Sequence, residues 1–280
     1  MHKLSQRYPH RRVFITGAGA GIGRALCLEL ARAGWTVGVA DINPATTAAV
    51  ADEVTRAGGR AIPLVFDVAD EAAFGRAADT FRAAAGGVDL VINNAGIGDT
   101  HEFEDTPDEV WARVDRINRL GVIYGCKAFV PTLRAQRSGH IVNVASVAAF
   151  ASPPGLAAYA SSKSAVVSLS EVLFTELRHQ GVDVSIVIPF IVTTELFTQA
   201  GRSTQSQRSA EKLNRLVGVD PATTARSIVR QLGRRKLYVP TSPGAAALHL
   251  WKRLMPVTFM KVHAALAQRM GRDVDSARPA

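Results

Sequence analysis

Apolar positions along the chain fall into two alternating patterns. Short β-branched runs, Val13-Phe14-Ile15, Thr36-Val37-Gly38-Val39, Ile62 to Phe66, Leu90-Val91-Ile92, Ile141 to Val144 and Val184 to Ile188, read as buried strands. Between them lie longer Ala- and Leu-rich stretches near 22–33, 45–57, 70–85, 107–135 and 157–180 that read as helices. Strands apolar on both faces and separated by helices predict an α/β chain built on a doubly wound parallel sheet covered on both sides. Leu237-Tyr238-Val239 is a candidate seventh strand after a helix near 221–232, and no internal repeat interrupts the pattern. Gln199 to Arg208, rich in Gln, Ser, Thr and Arg, reads as a mobile flap.

Composition narrows the picture only a little. The 280 residues are 47% hydrophobic and 20% charged, which excludes a disordered, collagen-like or low-complexity chain. Two cysteines, Cys27 and Cys126, make no disulfide framework and no zinc cluster, and the histidines lack metal-type spacing, so a reducing, cytoplasmic setting and no metal are expected. No run of about 18 apolar residues is long enough to span a membrane. The basic start, Met1 to Arg12, lacks the apolar core of a secretory signal. The net charge of +9 is concentrated late: nine Lys/Arg from Arg234 onward face only Asp273 and Asp275. The nearly neutral body argues against nucleic acid as a partner, and the tail needs its own account.

Chemistry enters first at Thr16-Gly17-Ala18-Gly19-Ala20-Gly21-Ile22-Gly23, which follows the first strand and opens the first helix of that unit. Glycines there permit a tight turn and bring backbone N–H groups, with the helix N-terminus, against a pyrophosphate. In this strand–turn–helix context the run marks a Rossmann-type dinucleotide site, with Gly17, Gly21, Ile22 and Gly23 as its contacts. Asp41, at the end of the second strand, suits the ribose hydroxyls, and a carboxylate repels a 2′-phosphate, so NAD is favoured over NADP. The rival role for Asp41, capping the next helix, is better filled by Asn43 with Pro44. Asp67 and Val68 offer a carboxylate to an adenine amino group and an apolar contact to the ring; a solvated cap for the helix starting near Asp70 explains Asp67 as well. Asn93-Asn94-Ala95-Gly96 after strand four let the backbone pass under a cofactor, or simply turn.

Tyr159 and Lys163 are four residues apart in a helical pattern, which places both on one face. A free phenol titrates near pH ~10, so base chemistry near neutrality requires roughly three units of depression, about 4 kcal/mol. A neighbouring lysine and a positive nicotinamide ring together are the expected source. Ser146 follows strand five, across a loop containing Pro153-Pro154-Gly155. Taken singly, these residues read as a buried tyrosine, a surface lysine and a loop serine.

Taken together, the turn at 16–23, Asp67-Val68, Asn93-Asn94-Ala95-Gly96, Asn118, Ser146 and Tyr159-x-x-x-Lys163 resemble the short-chain dehydrogenases/reductases over about residues 11–240. The resemblance implies a tetrad: Tyr159 as acid/base on the substrate oxygen, and Ser146 hydrogen-bonding that oxygen. Lys163 would lower the Tyr159 pKa and bind the nicotinamide ribose, and Asn118 would hold a proton-relaying water. Alone, Asn118 reads as a solvated or kink-stabilising helix residue. One departure stands out. The family's Pro-Gly-x-Val-x-Thr is here Pro189-Phe190-Ile191-Val192-Thr193-Thr194, so Phe190 replaces a glycine that permits close backbone approach. Val192 and Thr194 keep the positions expected at the carboxamide.

The expected activity is hydride transfer between NAD(H) and a hydrophobic alcohol or carbonyl compound, in a pocket walled by Ile97, Val147, Leu156, Phe190, Leu196 and Phe197. The rivals are an NADPH-dependent ketoreductase of acyl chains and a non-catalytic NAD-binding regulator. The resemblance also implies a homodimer or homotetramer. Beyond it, residues 241–280 read as a helical extension: Leu248, Trp251, Leu254 and Met255, then Phe259, Val262 and Leu266, recur at helical spacing on either side of Pro256. Lys252, Arg253, Lys261 and Arg269 are interleaved without acidic residues. Two readings follow: an arm packing on its own subunit or a neighbour, and a basic amphipathic foot making peripheral contact with an anionic membrane.

Overall fold

The β-branched runs pair into one seven-stranded parallel sheet with strand order β3-β2-β1-β4-β5-β6-β7. A computed structural model describes residues 2–193 and 218–275, with side chains placed to residue 269. The strands are β1 Arg12–Thr16, β2 Thr36–Asp41, β3 Arg60–Val65, β4 Leu90–Asn93, β5 Gly139–Val144, β6 Val182–Ile188 and β7 Tyr238–Pro240. Helices α1 His2–Arg7, α2 Gly21–Ala31, α3 Pro44–Arg56, α4 Glu71–Ala85 and α5 Asp108–Asp115 precede a π-helical turn, Arg116–Leu120. After it come α6 Gly121–Gln136, α7 Ala148–Ala151, α8 Ala157–Leu177, α9 Pro221–Leu232, α10 Pro243–Leu254 and α11 Pro256–Asp275.

The central strands β4, β5 and β6 are buried along their whole length, as their unbroken apolar runs require. The edge strand β3 departs from that pattern. Its burial alternates, and it tolerates Pro63 because an edge position has no partner for the missing N–H. Buried side chains of α2, α3 and α9 close one face of the sheet, and those of α4, α6 and α8 close the other. On the second face Phe14 is the centre of an aromatic knot, 4.8 Å from the Phe129 ring and 5.5 Å, edge-on, from Phe81.

Three features lay outside the sequence expectations. The basic start forms α1, whose Leu4, with Tyr8 just beyond, is buried in the first core. The stretch expected as one helix over 107–135 is divided by the π-helical turn. A single turn, α7, follows strand five. In this order β1 and β4 are neighbours although β2 and β3 intervene in sequence. The chain thus winds outward in both directions from that pair, and the loops leaving β1 and β4 meet beside the crevice that this switch point creates at the carboxyl ends of the strands.

Candidate active site

The crevice is built first by backbone. Gly17 takes a left-handed φ of 63°, and a side chain there would stand 2.8 Å from Ala95 Cα, so the turn after β1 lies directly on the loop after β4. Asn94 fastens the two: its amide donates to the carbonyls of Thr16 at 2.9 Å and Gly17 at 3.1 Å. Thr16 Oγ1 in turn accepts from the N–H groups of Asn94 and Ala95. The turn then enters α2 through Ala20, which offers no side-chain cap. By contrast, Asn43 and Asp70 cap α3 and α4 with side-chain oxygens. Gly21, Ile22 and Gly23 therefore present first-turn N–H groups, with the positive end of the helix dipole, to whatever lies above the sheet.

Asp41 is fixed beside this turn. Its carboxylate accepts from Gly19 N–H at 2.9 Å and Asn43 N–H at 3.1 Å, while Asn43 itself accepts from Ala45 N–H at 2.9 Å. The capping alternative for Asp41 is thereby filled by Asn43. The same holds one strand further out. Asp70 is the α4 cap, and Asp67, two residues past the end of β3, holds only Ala69 N–H with one oxygen at 2.9 Å and is otherwise exposed. Val68 lies against Gly121 at the start of α6.

The second half of the site hangs on β5 and α8. Ser146, Tyr159, Lys163 and Asn118 are all buried. Ser146 Oγ accepts from Ala148 N–H at 3.1 Å, which starts α7, and Ser146 is hydrogen-bonded to the Tyr159 phenol. Lys163 Nζ donates to the Val144 carbonyl at 3.0 Å and stands 5.9 Å from the Tyr159 ring centre. Burial pushes the Tyr159 phenol above its usual value, and the Ser146 hydrogen bond only partly opposes this. Burial likewise lowers Lys163 to about 8. The depression that base chemistry requires of Tyr159 is thus not generated by the chain's own burial, which acts the other way.

Asn118 sits inside the π-helical turn, a device that recurs at functional sites. Its Oδ1 accepts from Ile97 N–H at 2.9 Å, and its Nδ2 donates to the Ile97 carbonyl at 3.0 Å and Ser162 Oγ at 3.1 Å. Both amide hydrogens are committed, so the side chain clamps the loop after β4. Gly96 lies under this clamp: a side chain there would come within 3.0 Å of Asn118 Oδ1 and 3.1 Å of Lys163 Nζ. Ser162 escaped the sequence reading although its position, three after Tyr159, places it on the same helical face. Ile42 also escaped it. Next to Asp41, it is 64% exposed at the carboxyl edge of the sheet, and an apolar residue just past a strand end was its only signal.

Around the buried quartet stand half-buried apolar residues. Leu156 packs on the cluster holding Tyr159. Val147 N–H reaches the Pro189 carbonyl at 2.9 Å, and His101 N–H reaches the Gly155 carbonyl at 3.1 Å. Phe190 holds no left-handed φ, packs partly into the second core, and donates its N–H to Thr241 Oγ1 at 3.3 Å. The loop it begins is pinned by a bridge between Val192 and Val219. Thr194, Leu196, Phe197 and the segment Gln199 to Arg208 lie outside the described residues.

A sequence profile described as "short chain dehydrogenase" matches residues 11–205 of this chain, more than half of it. The chain belongs to the short-chain dehydrogenase/reductase family. A Mycobacterium tuberculosis protein described as "probable oxidoreductase EphD" is 37% identical over 254 residues, which is 87% of this chain; the chain spans 43% of that relative's length. Cyclopentanol dehydrogenase of Comamonas testosteroni is 34% identical over 197 residues, 70% of this chain and 79% of that one. Among solved structures, a short-chain dehydrogenase/reductase from Burkholderia phymatum, crystallised with NAD, superposes with a TM-score of 0.81 at 31% identity, covering 89% of this chain and 95% of that one.

Proposed function

We propose that this short-chain dehydrogenase/reductase oxidises hydrophobic alcohols, or reduces the matching carbonyl compounds, with NAD(H). The observation that carries the cofactor choice is Asp41, whose carboxylate is held at the mouth of the glycine turn by two backbone N–H groups. A 2′-phosphate beside that fixed negative charge would meet repulsion, whereas ribose hydroxyls find an acceptor. The described residues offer the cofactor partners from its adenine end to its nicotinamide end. The uncapped N–H groups of Gly21, Ile22 and Gly23, after Gly17, suit the pyrophosphate. The open oxygen of Asp67 and the side chains of Val68 and Ile42 suit adenine, and Asn94, Ala95 and Gly96 carry the backbone beneath it. Tyr159 and Lys163 suit the nicotinamide ribose, with Val192 near the carboxamide.

When bound, the nicotinamide supplies a hydride acceptor and a positive charge. Tyr159 Oη would take the proton of the substrate hydroxyl, and Ser146 Oγ would hold the same oxygen in line. Lys163, buried beside Tyr159, adds the positive charge that offsets burial and favours the phenolate. Asn118 fixes Ile97 and Gly96, keeps one acceptor position on Oδ1, and is proposed to hold the water that relays protons from Lys163. The apolar walls at Ile97, Val147, Leu156 and Phe190, and the likeness to a cyclopentanol dehydrogenase, support an alcohol without charged groups. The test is kinetic. With a panel of cyclic and long-chain alcohols, kcat/KM for NAD should exceed that for NADP at least ~10-fold, equivalent to about 1.4 kcal/mol. Asp41→Ala should narrow the gap by raising relative NADP use; equal use of both cofactors by the wild-type enzyme would overturn the reading.

A further inference from the structure

The C-terminal helices divide into a docked half and an undocked half. α10 is anchored to the body: Ala245 is buried, and His249 lies 4.5 Å from the Phe150 ring and 4.7 Å from the Tyr238 ring. α11 is turned back at Pro256 and attached through Phe259, which is buried against Trp251 of α10. Several apolar side chains of this hairpin face outward. Leu254 is 70% exposed, Val257 66%, Leu266 52% and Met255 50%. Val257, Met260 and Ala264 line an open groove on one side of α11, with Pro256 at its end and Lys252 and Lys261 along it. Singly exposed leucines are ordinary, but this many on one hairpin form a patch that calls for a cover.

Charge says what covers it. No Asp or Glu occurs between Asp220 and Asp273, and Lys252, Arg253, Lys261 and Arg269 flank the apolar residues. Among the described residues none of these four is in an ion pair, and only Arg253 is turned to the body, where it is hydrogen-bonded to Tyr238. A second copy meeting this face across a two-fold axis would bring like charges together. A body of its own domain would have to supply the acidic residues that the hairpin lacks. An anionic bilayer satisfies both demands: headgroup phosphates for the cations and the acyl boundary for Val257, Met260 and Ala264, which share one face of α11. We propose that α11 and the outer edge of α10 form a docking surface for anionic lipid membranes, holding the enzyme flat on the interface without crossing it. No helix among the described residues is long and apolar enough to cross.

The test uses the full-length protein and co-sedimentation with vesicles of phosphatidylcholine alone or with about one-third phosphatidylglycerol. Binding is expected to the mixed vesicles only and to fall steeply at about 0.5 M salt. Lys252→Gln, Lys261→Gln and Arg269→Gln combined should weaken it on the order of 100-fold, from roughly fivefold per charge. Leu254→Ser, Val257→Ser and Met260→Ser combined should weaken it at least ~10-fold, with an unchanged thermal melt. Absence of wild-type binding to the mixed vesicles, or equal binding to both kinds, overturns the proposal. So does a change of oligomeric state in the apolar variant without vesicles, which would assign the face to a second copy.

Discussion

Tyr159 and Lys163 are each shifted toward the uncharged form by the same cause, burial, and for a phenol and an amine that means opposite directions. Near neutral pH the phenol is thus held protonated while Lys163, lowered only to about 8, still carries its proton, and the pair's catalytic use depends on both members. Tyr159→Phe should lower turnover by on the order of 1,000-fold while NADH affinity, read by fluorescence titration, stays within a few-fold. Lys163→Ala should lower both, because its ammonium also lies where the ribose is proposed to bind. Substantial activity in Tyr159→Phe would reassign the acid/base. That these two residues share one helical face was legible from their spacing, while their proposed roles came from the family resemblance. Asp41 was legible for a similar reason, a strand end at fixed distance from the glycine turn. The partnerships were not: that Asn118 would clamp Ile97 and Ser162, or that Asn94 would hold Thr16 and Gly17, depends on which loops the strand order brings together.

Among the elements, those with strong periodicity were foreseen and those fixed by long-range contacts were not. All seven strands could be read from β-branched runs, including the edge strand whose proline marks it. The π-helical turn at Arg116–Leu120 has no local signature, since it is Asn118, reaching across to the loop after β4, that accompanies the extra residue. α1 was invisible because its two buried side chains, Leu4 and Tyr8 beyond its end, find their partners far along the chain. The turn makes a separate prediction. Asn118→Ala removes three hydrogen bonds and strands the N–H and carbonyl of Ile97, so stability should fall by about 1–3 kcal/mol in urea titration. Turnover measured well below the melting transition should fall too, since Ile97 and Gly96 lose their fixed position next to Lys163. A loss of stability with unchanged turnover would make the clamp structural only.

At the scale of the whole molecule, the parallel sheet separates two tasks. The carboxyl ends of the strands hold the site, and the opposite edge is closed by a charged network in which Asp183 pairs with Arg7 at 3.0 Å and Arg235 at 2.8 Å and accepts from Tyr8. His140 is sealed beneath this network. Its Nε2 lies 2.8 Å from Ser185 Oγ, and because that hydroxyl gives its proton to the Lys236 carbonyl, Nε2 must be the donor. Nδ1 is left buried without a partner among the described residues, and protonating it would place a third positive charge beside Arg7 and Arg235. Burial, aided by Arg7 and Arg235 against the opposing pull of Asp183, lowers His140 from its usual 6.5 to about 4. Between those two values the unfolded chain binds a proton that the folded chain refuses, so stability falls as pH drops. Above pH 6.5 this penalty is absent, and by pH 4 it reaches roughly 3 kcal/mol. Urea midpoints measured from pH 7 to 4 should therefore decline for the wild type, and less steeply for His140→Gln, which keeps a donor for Ser185 but cannot take up the proton. Equal slopes in the two proteins would mean that His140 titrates normally and that acid sensitivity belongs to the carboxylates instead.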